Sequence, residues 1–168
     1  MTHSEAPLLI VWHGRTGTSE ALAKAAFDAA GQGGSGQTVL CKRAEDVAAD
    51  DLLGAAAYLF VCPENLAAMS GMMKEMFDRT YYAVLGKIEG RGYATMIAAG
   101  SDGENAQKQI DRIAKGWRLR RVADPFIHNT KSQTPEEIWA AKDVPDDAID
   151  HARTLGASMA EGLSLGIF

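Results

Sequence analysis

Residues 55–62, Ala-Ala-Ala-Tyr-Leu-Phe-Val-Cys, are apolar without a break. The run has the length of a strand. A strand with no polar face must be covered on both sides, the situation of a central strand in a parallel sheet. Leu8–Trp12 and Tyr93–Ala99 are further runs of this kind, and 38–42 and 118–127 read as a short second strand and a fifth strand or extended segment. Helical segments separate them. The spacing predicts helices over 19–30, 46–53, 69–82 and 146–161, with another carrying Ala106, Ile110, Ile113, Ala114 and Trp117 on one face. In the third of these helices Met69, Met72, Met73, Met76 and Phe77 share a side, which reads as core rather than as a partner surface. Strands alternating with helices in this way predict an α/β fold around a parallel sheet.

A chain of 168 residues, 46% hydrophobic and 23% charged, is expected to form one domain over 1–168 with a full core. No repeat is present beyond the strand–helix alternation. The net charge of −5 and the lack of a basic run argue against nucleic acid as a partner. No apolar run is long enough to span a bilayer, and none has the character of a signal-peptide core, so a cytoplasmic protein without membrane contact is expected. Cys41 and Cys62 fit a reducing compartment. His3, His128 and His151 show no ligand spacing with one another or with the cysteines, so no metal site is expected.

The first strand runs into His13-Gly14-Arg15-Thr16-Gly17-Thr18-Ser19-Glu20, and helix composition follows at once. A helix starting at Thr18 or Ser19 turns its unpaired N–H groups and positive dipole end towards this turn. That is an anion site, and adjacent hydroxyls suit phosphate oxygens. The competing reading is an ordinary strand-to-helix turn capped by Ser19. A Walker A loop is excluded because no Gly-Lys-Ser/Thr closes the turn, and Gly14 and Gly17 lack the GxGxxG spacing of a dinucleotide fingerprint. A phosphoreceiver domain needs acidic residues where His13 and Cys62 stand, and no G-x-S-x-G elbow supports hydrolase chemistry. The stretch Gly14–Ser19 does resemble the phosphate loop of the flavodoxin-like family, Ser/Thr-x-Thr-Gly-x-Thr. Thr16 and Gly17 match, and Ser19 conservatively replaces the last Thr. Gly14 departs from the family's usual hydroxyl, and Arg15 adds a charge the family does not require.

The resemblance continues in Pro63-Glu64-Asn65, followed by Gly71-Met72-Met73-Lys74 and Phe77-Asp78-Arg79. This stretch is similar to the second loop and third helix of flavodoxin-like NAD(P)H:FMN and quinone reductases. Ala99-Gly100-Ser101-Asp102-Gly103 is similar to their third loop. The likeness covers the chain to about residue 127. It implies a flavodoxin-like three-layer sandwich with a five-stranded parallel sheet in the order 2-1-3-4-5. The three loops then meet outside the carboxyl ends of the strands, at the switch point. It also implies FMN as cofactor and NAD(P)H as co-substrate. Arg15, Thr16, Gly17, Thr18 and Ser19 would hold the phosphate. Pro63, Glu64, Asn65 and Leu66 would line the flavin ring, largely through backbone, with Gly100, Ser101 and Gly103 at its other edge. His13, beside the phosphate, either meets the ligand or bonds a neighbouring loop; the second is the commoner fate of a histidine at a strand end.

Three functions remain open on these residues: an FMN-containing NAD(P)H reductase of free flavin, quinone or a similar small acceptor; a flavodoxin-type electron carrier; and a flavin-free binding module. Neither 63–68 nor 100–105 holds an aromatic residue, so at least one flavin face is expected to be open, which favours the reductase. Trp139 lies in the proline-punctuated stretch 128–145, where Thr134-Pro135-Glu136-Glu137 reads as a capping box, and it could fold over the site. In a homo-oligomer Tyr81 and Tyr82 of a neighbouring chain could do the same. Lys42-Arg43 could meet a 2′-phosphate, though solvation is the simpler reading. Gly31–Gly36 follows a helix rather than a strand and reads as a turn. No catalytic residue is assigned.

Overall fold

The computed structural model describes residues 6–168; His3 and the rest of 1–5 lie outside the described residues. The strand β1 (Leu8–Trp12) runs parallel to β2 (Val39–Arg43) on one side and to β3 (Ala57–Asn65) on the other, with Ile10 level with Cys41 and with Leu59. A two-residue strand, β4 (Ala68–Met69), folds back antiparallel on the end of β3, and β5 (Gly92–Ala99) lies parallel to β3 on its far side. The fifth position holds two pieces, β6 (Arg120–Arg121) and β7 (Phe126–Asn129), both parallel to β5. The five parallel positions therefore follow the expected order.

Two details of the sheet differ from expectation. The fifth strand is broken, because the register slips by two residues between the Tyr93–Arg121 pair and the Met96–Phe126 pair. Pro125 sits in the gap and cannot donate to the ladder. The second difference is that 63–68 is a hairpin rather than an irregular loop: β3 continues through Pro63 to Asn65, then reverses into β4.

Alternation along the central strands builds two cores. Leu8, Ile10, Leu59 and Val61 face α1 (Thr18–Gln32) and α6 (Asp146–Ser164). Leu9, Val11, Tyr58 and Phe60 face α2 (Ala49–Gly54), α3 (Gly71–Val84) and α4 (Glu104–Gly116). A 3-10 turn, Ala44–Asp46, precedes α2, so the expected helix over 46–53 is divided. On the second face Phe77 bridges Phe60 and Trp117, with ring centres 5.1 and 5.4 Å apart, and the Trp117 indole donates to the Tyr81 carbonyl at 3.1 Å. Met73, Met76 and Phe77 are fully buried here and Met69, in β4 rather than in the helix, is buried beside them, so the methionine stripe is core except for the half-buried Met72. Among the described residues no helix is long and apolar enough to cross a membrane.

Cys41 and Cys62 are free, and β1 stands between the strands that carry them. Burial pushes the Cys41 thiol up to about 11 and the Cys62 thiol up to about 12. Thiolate is the reactive form, so at neutral pH both react slowly in the native protein. Titration with a thiol reagent, without reductant, is expected to find both groups after unfolding and neither rapidly before it.

Candidate functional site

Three loops converge at the carboxyl end of the sheet, around a cleft of about 660 Å³, within the usual size of small-ligand sites. The first loop joins β1 to α1. Gly17, at φ 102°, N-caps α1 in a conformation that side chains rarely adopt, and no side chain caps the helix. Thr18 and Ser19 occupy the first turn, only 4% and 2% exposed, and both hydroxyl oxygens lack any hydrogen-bond partner. The reading of Ser19 as a cap is therefore excluded. A buried unpaired hydroxyl costs about 1–3 kcal/mol, so two side by side at a free helix N-terminus mark a place prepared for an acceptor-rich anion. Gly14 has a steric reason: a Cβ there would lie 3.1 Å from the Ser19 Cβ and 3.5 Å from its Oγ. The hydroxyl missing at 14 is one that Ser19 would crowd.

The second loop is the β3–β4 hairpin. Leu66 and Ala67 both have positive φ, 51° and 60°, as a type I′ turn requires. Non-glycine residues in that region are strained by roughly 1–3 kcal/mol each, and α4 holds them there. The Glu64 carboxylate accepts from Gly103 N at 2.9 Å and Ala106 N at 3.4 Å, Asn105 donates to the Ala67 carbonyl, and Met69 N donates to Gln109 at 2.9 Å. Glu64 thus sits at the positive end of α4.

The third loop follows β5 and is tied to a strap that crosses the mouth. Thr130 N donates to Ala99 O at 2.7 Å, Asn129 to Ser101 O at 2.6 Å and Gln133 to Gly100 O at 3.2 Å. A Cβ on Gly100 would stand 2.8 Å from the Ser132 carbonyl oxygen, so the loop must be glycine for the strap to lie this close. The strap carries α5 (Pro135–Trp139), which begins with the expected capping box: Glu137 N donates to Thr134 Oγ1, and Thr134 N to the Glu137 carboxylate. Bonds from the Gln133 and Thr134 amides hold that carboxyl below its usual range. At the far end Lys142 N donates to Thr16 O at 2.8 Å, closing the strap onto the first loop.

Of the residues expected at the site, Arg15, Thr16, Thr18, Ser19, Pro63, Glu64, Asn65, Leu66, Gly100 and Ser101 line the cleft. Gly17 and Gly103 stand behind it as helix N-caps. His13 is not on the wall. It is buried, and its Nδ1 meets Ser70 Oγ at 3.0 Å, tying β1 to the start of α3. Desolvation pulls its pKa below 6.5, assisted by Arg43 and Arg15 and opposed by Glu45. Lys42 and Arg43 are committed to Asp51 and Glu45, and Arg43 also lies over the Trp12 ring. The strap adds Thr130, Ser132, Pro135, Ile138, Trp139 and Lys142 to the wall; of these the sequence pointed only to Trp139. Among the described residues no cluster of three His, Cys, Asp or Glu could hold a metal.

No protein-family model and no curated protein matches the chain. Solved structures do. An archaeal flavodoxin superposes with a TM-score of 0.73 at 18% identity, over 94% of this chain and 98% of its own. A WrbA-like flavodoxin from Agrobacterium tumefaciens gives 0.68 at 15% identity, over 94% and 97%. A flavone reductase gives 0.71 at 17% identity, over 94% of this chain and 62% of its own. At these identities the likeness is one of architecture. With the strand order, the two helical layers and the three-loop cleft already in place, the chain has the flavodoxin-like fold.

Proposed function

We propose that this protein binds FMN and works as an oxidoreductase, passing electrons from NAD(P)H to a small acceptor. The observation that carries the reading is the pair of orphaned hydroxyls, Thr18 Oγ1 and Ser19 Oγ, at the uncapped start of α1 on the cleft wall. They suit a phosphate monoester, with the first-turn N–H groups beside them. Pro63–Leu66 and Gly100–Ser101 line the cleft and would receive the flavin ring, and Glu64 and the α4 bonds keep the hairpin in place. Bound FMN supplies hydride acceptance and electron release, which no side chain here can perform. The chain's own task is to hold the ring, shield it from water and leave room for a second ring.

The absence of aromatic residues from 63–68 and 100–105 supports a reductase, because a nicotinamide must stack on an open flavin face at near-contact distance. The carrier reading has one observation in its favour, Trp139, which lines the cleft from the strap. Anaerobic mixing separates the two. The FMN-loaded protein is expected to lose its yellow colour on addition of NADH or NADPH and to regain it with a quinone or free flavin. A flavin that stays oxidised under excess of both nucleotides, yet takes single electrons from a reductase protein, decides for the carrier. Failure to retain FMN at all decides for the flavin-free module. Two free thiols and the small-molecule acceptor fit work in the reducing cytoplasm.

A further inference from the structure

The wall of the cleft carries three charged side chains, and two are satisfied inside the protein. Glu64 accepts from the amides of Gly103 and Ala106. The Lys142 ammonium donates to the carbonyls of Glu137, Ile138 and Ala140 at 2.6, 3.1 and 2.6 Å, closing the end of α5. Arg15 is different. It is exposed, and it pairs with no carboxylate among the described residues. Its guanidinium lies 5.9 Å from the centre of the Trp139 ring on the strap. Apolar side chains flank it on both lips of the mouth. Trp139 is 65% exposed, Ile138 48%, and Leu66, at the tip of the strained hairpin, fully exposed.

We propose that this mouth is a binding subsite for a flat aromatic molecule bearing an anionic group: a carboxylate, a sulfonate or an ionised hydroxyl. Arg15 takes the anion, and Trp139, Ile138 and Leu66 cover the ring. The inference rests on the oxidoreductase reading and deepens it by naming the chemical class of the acceptor. Charge supports it. In a protein of net charge −5, an anion is held where a local cation outweighs the general field, and of the two cations on this wall Arg15 is the one whose N–H donors are not already committed to carbonyls. The pairing is also geometric, because a guanidinium held over an indole presents its edge N–H groups to a planar carboxylate. A cationic ring is repelled from the same place.

Calorimetric titration of the FMN-loaded protein with 2-naphthoate and with neutral 2-naphthamide tests this. The naphthoate is expected to bind about three- to tenfold tighter, the range of an ion pair at a partly exposed site. Arg15→Gln is expected to abolish the difference and leave the amide unchanged, while Trp139→Ala weakens both. Equal affinities in the unaltered protein overturn the proposal. So does an Arg15→Gln variant that keeps the naphthoate preference but loses FMN affinity, because Arg15 then serves the phosphate. If the protein takes up no FMN, the oxidoreductase reading fails by itself. The same two probes, titrated into the flavin-free protein, then decide the subsite: an Arg15-dependent preference upholds it, and none overturns it.

Discussion

Gly156→Ala is expected to lower the melting temperature by about 4–8 °C, although replacing a helix-interior glycine by alanine ordinarily stabilises by roughly 1 kcal/mol. Two effects compete here. Gly156 lies inside α6, where that propensity gain is available. Its position also faces Ala26 on α1, the helix that α6 packs against most closely. A Cβ on Gly156 would stand 2.2 Å from the Ala26 carbonyl oxygen and 2.7 Å from its C and Cα. These are backbone atoms of a helix, so no rotamer change can clear them, and α1 must move off the sheet. Overpacking at the upper end of its range costs about 3 kcal/mol, which outweighs the propensity gain. For a chain of this size each kcal/mol shifts the midpoint by about 2–4 °C. Gly31→Ala, near the end of α1 with open space around its position, is the control and is expected to leave the midpoint level or raise it. Paired thermal melts by circular dichroism decide. A Gly156→Ala variant that melts at or above the unaltered protein refutes the close approach of α1 and α6.

The scaffold around this contact was legible because its signals are local. The unbroken apolar run through Ala57–Cys62 names a central strand, and the turn 13–19 sits between a strand and a helix wherever it is read. The glycine at 17 and the capping box at Thr134 likewise act on their own neighbours. What escaped depends on residues far apart in sequence. Leu66-Ala67 carries no Asn-Gly signal, and it forms a type I′ turn because α4, some forty residues on, fixes both strands of the hairpin. That His13 bonds another segment is the commoner fate of a histidine at a strand end, but its partner Ser70 stands 57 residues later and nothing local names it. The strap's place over the mouth depends on its bonds to Ala99, Gly100 and Thr16. Hydroxyls at 18 and 19 are visible in the sequence, but that they are buried and unpaired is a property of packing.

The double variant Thr18→Val, Ser19→Ala carries the reading of the site furthest, because the two roles those hydroxyls could play predict opposite signs. If they support the helix, removing them destabilises the protein, as loss of a cap does by about 1 kcal/mol. The structure gives neither hydroxyl a partner within the protein, so in the flavin-free state both are desolvated for nothing. Replacing them with apolar groups of similar shape is therefore expected to leave that state equally stable or to raise its stability by about 1–2 kcal/mol. FMN affinity is expected to move the other way. A hydrogen bond to a charged acceptor contributes about 1.5–3 kcal/mol, so each hydroxyl is worth about a ten- to hundredfold change, and the double variant at least about a hundredfold. Riboflavin, which has the same ring and no phosphate, is expected to bind the variant and the unaltered protein equally. Fluorescence titration with both flavins, beside urea unfolding of the flavin-free proteins, gives all the numbers. Loss of stability with unchanged FMN affinity returns Thr18 and Ser19 to the helix and removes the phosphate from this turn. Equal weakening of FMN and riboflavin places the damage at the ring instead.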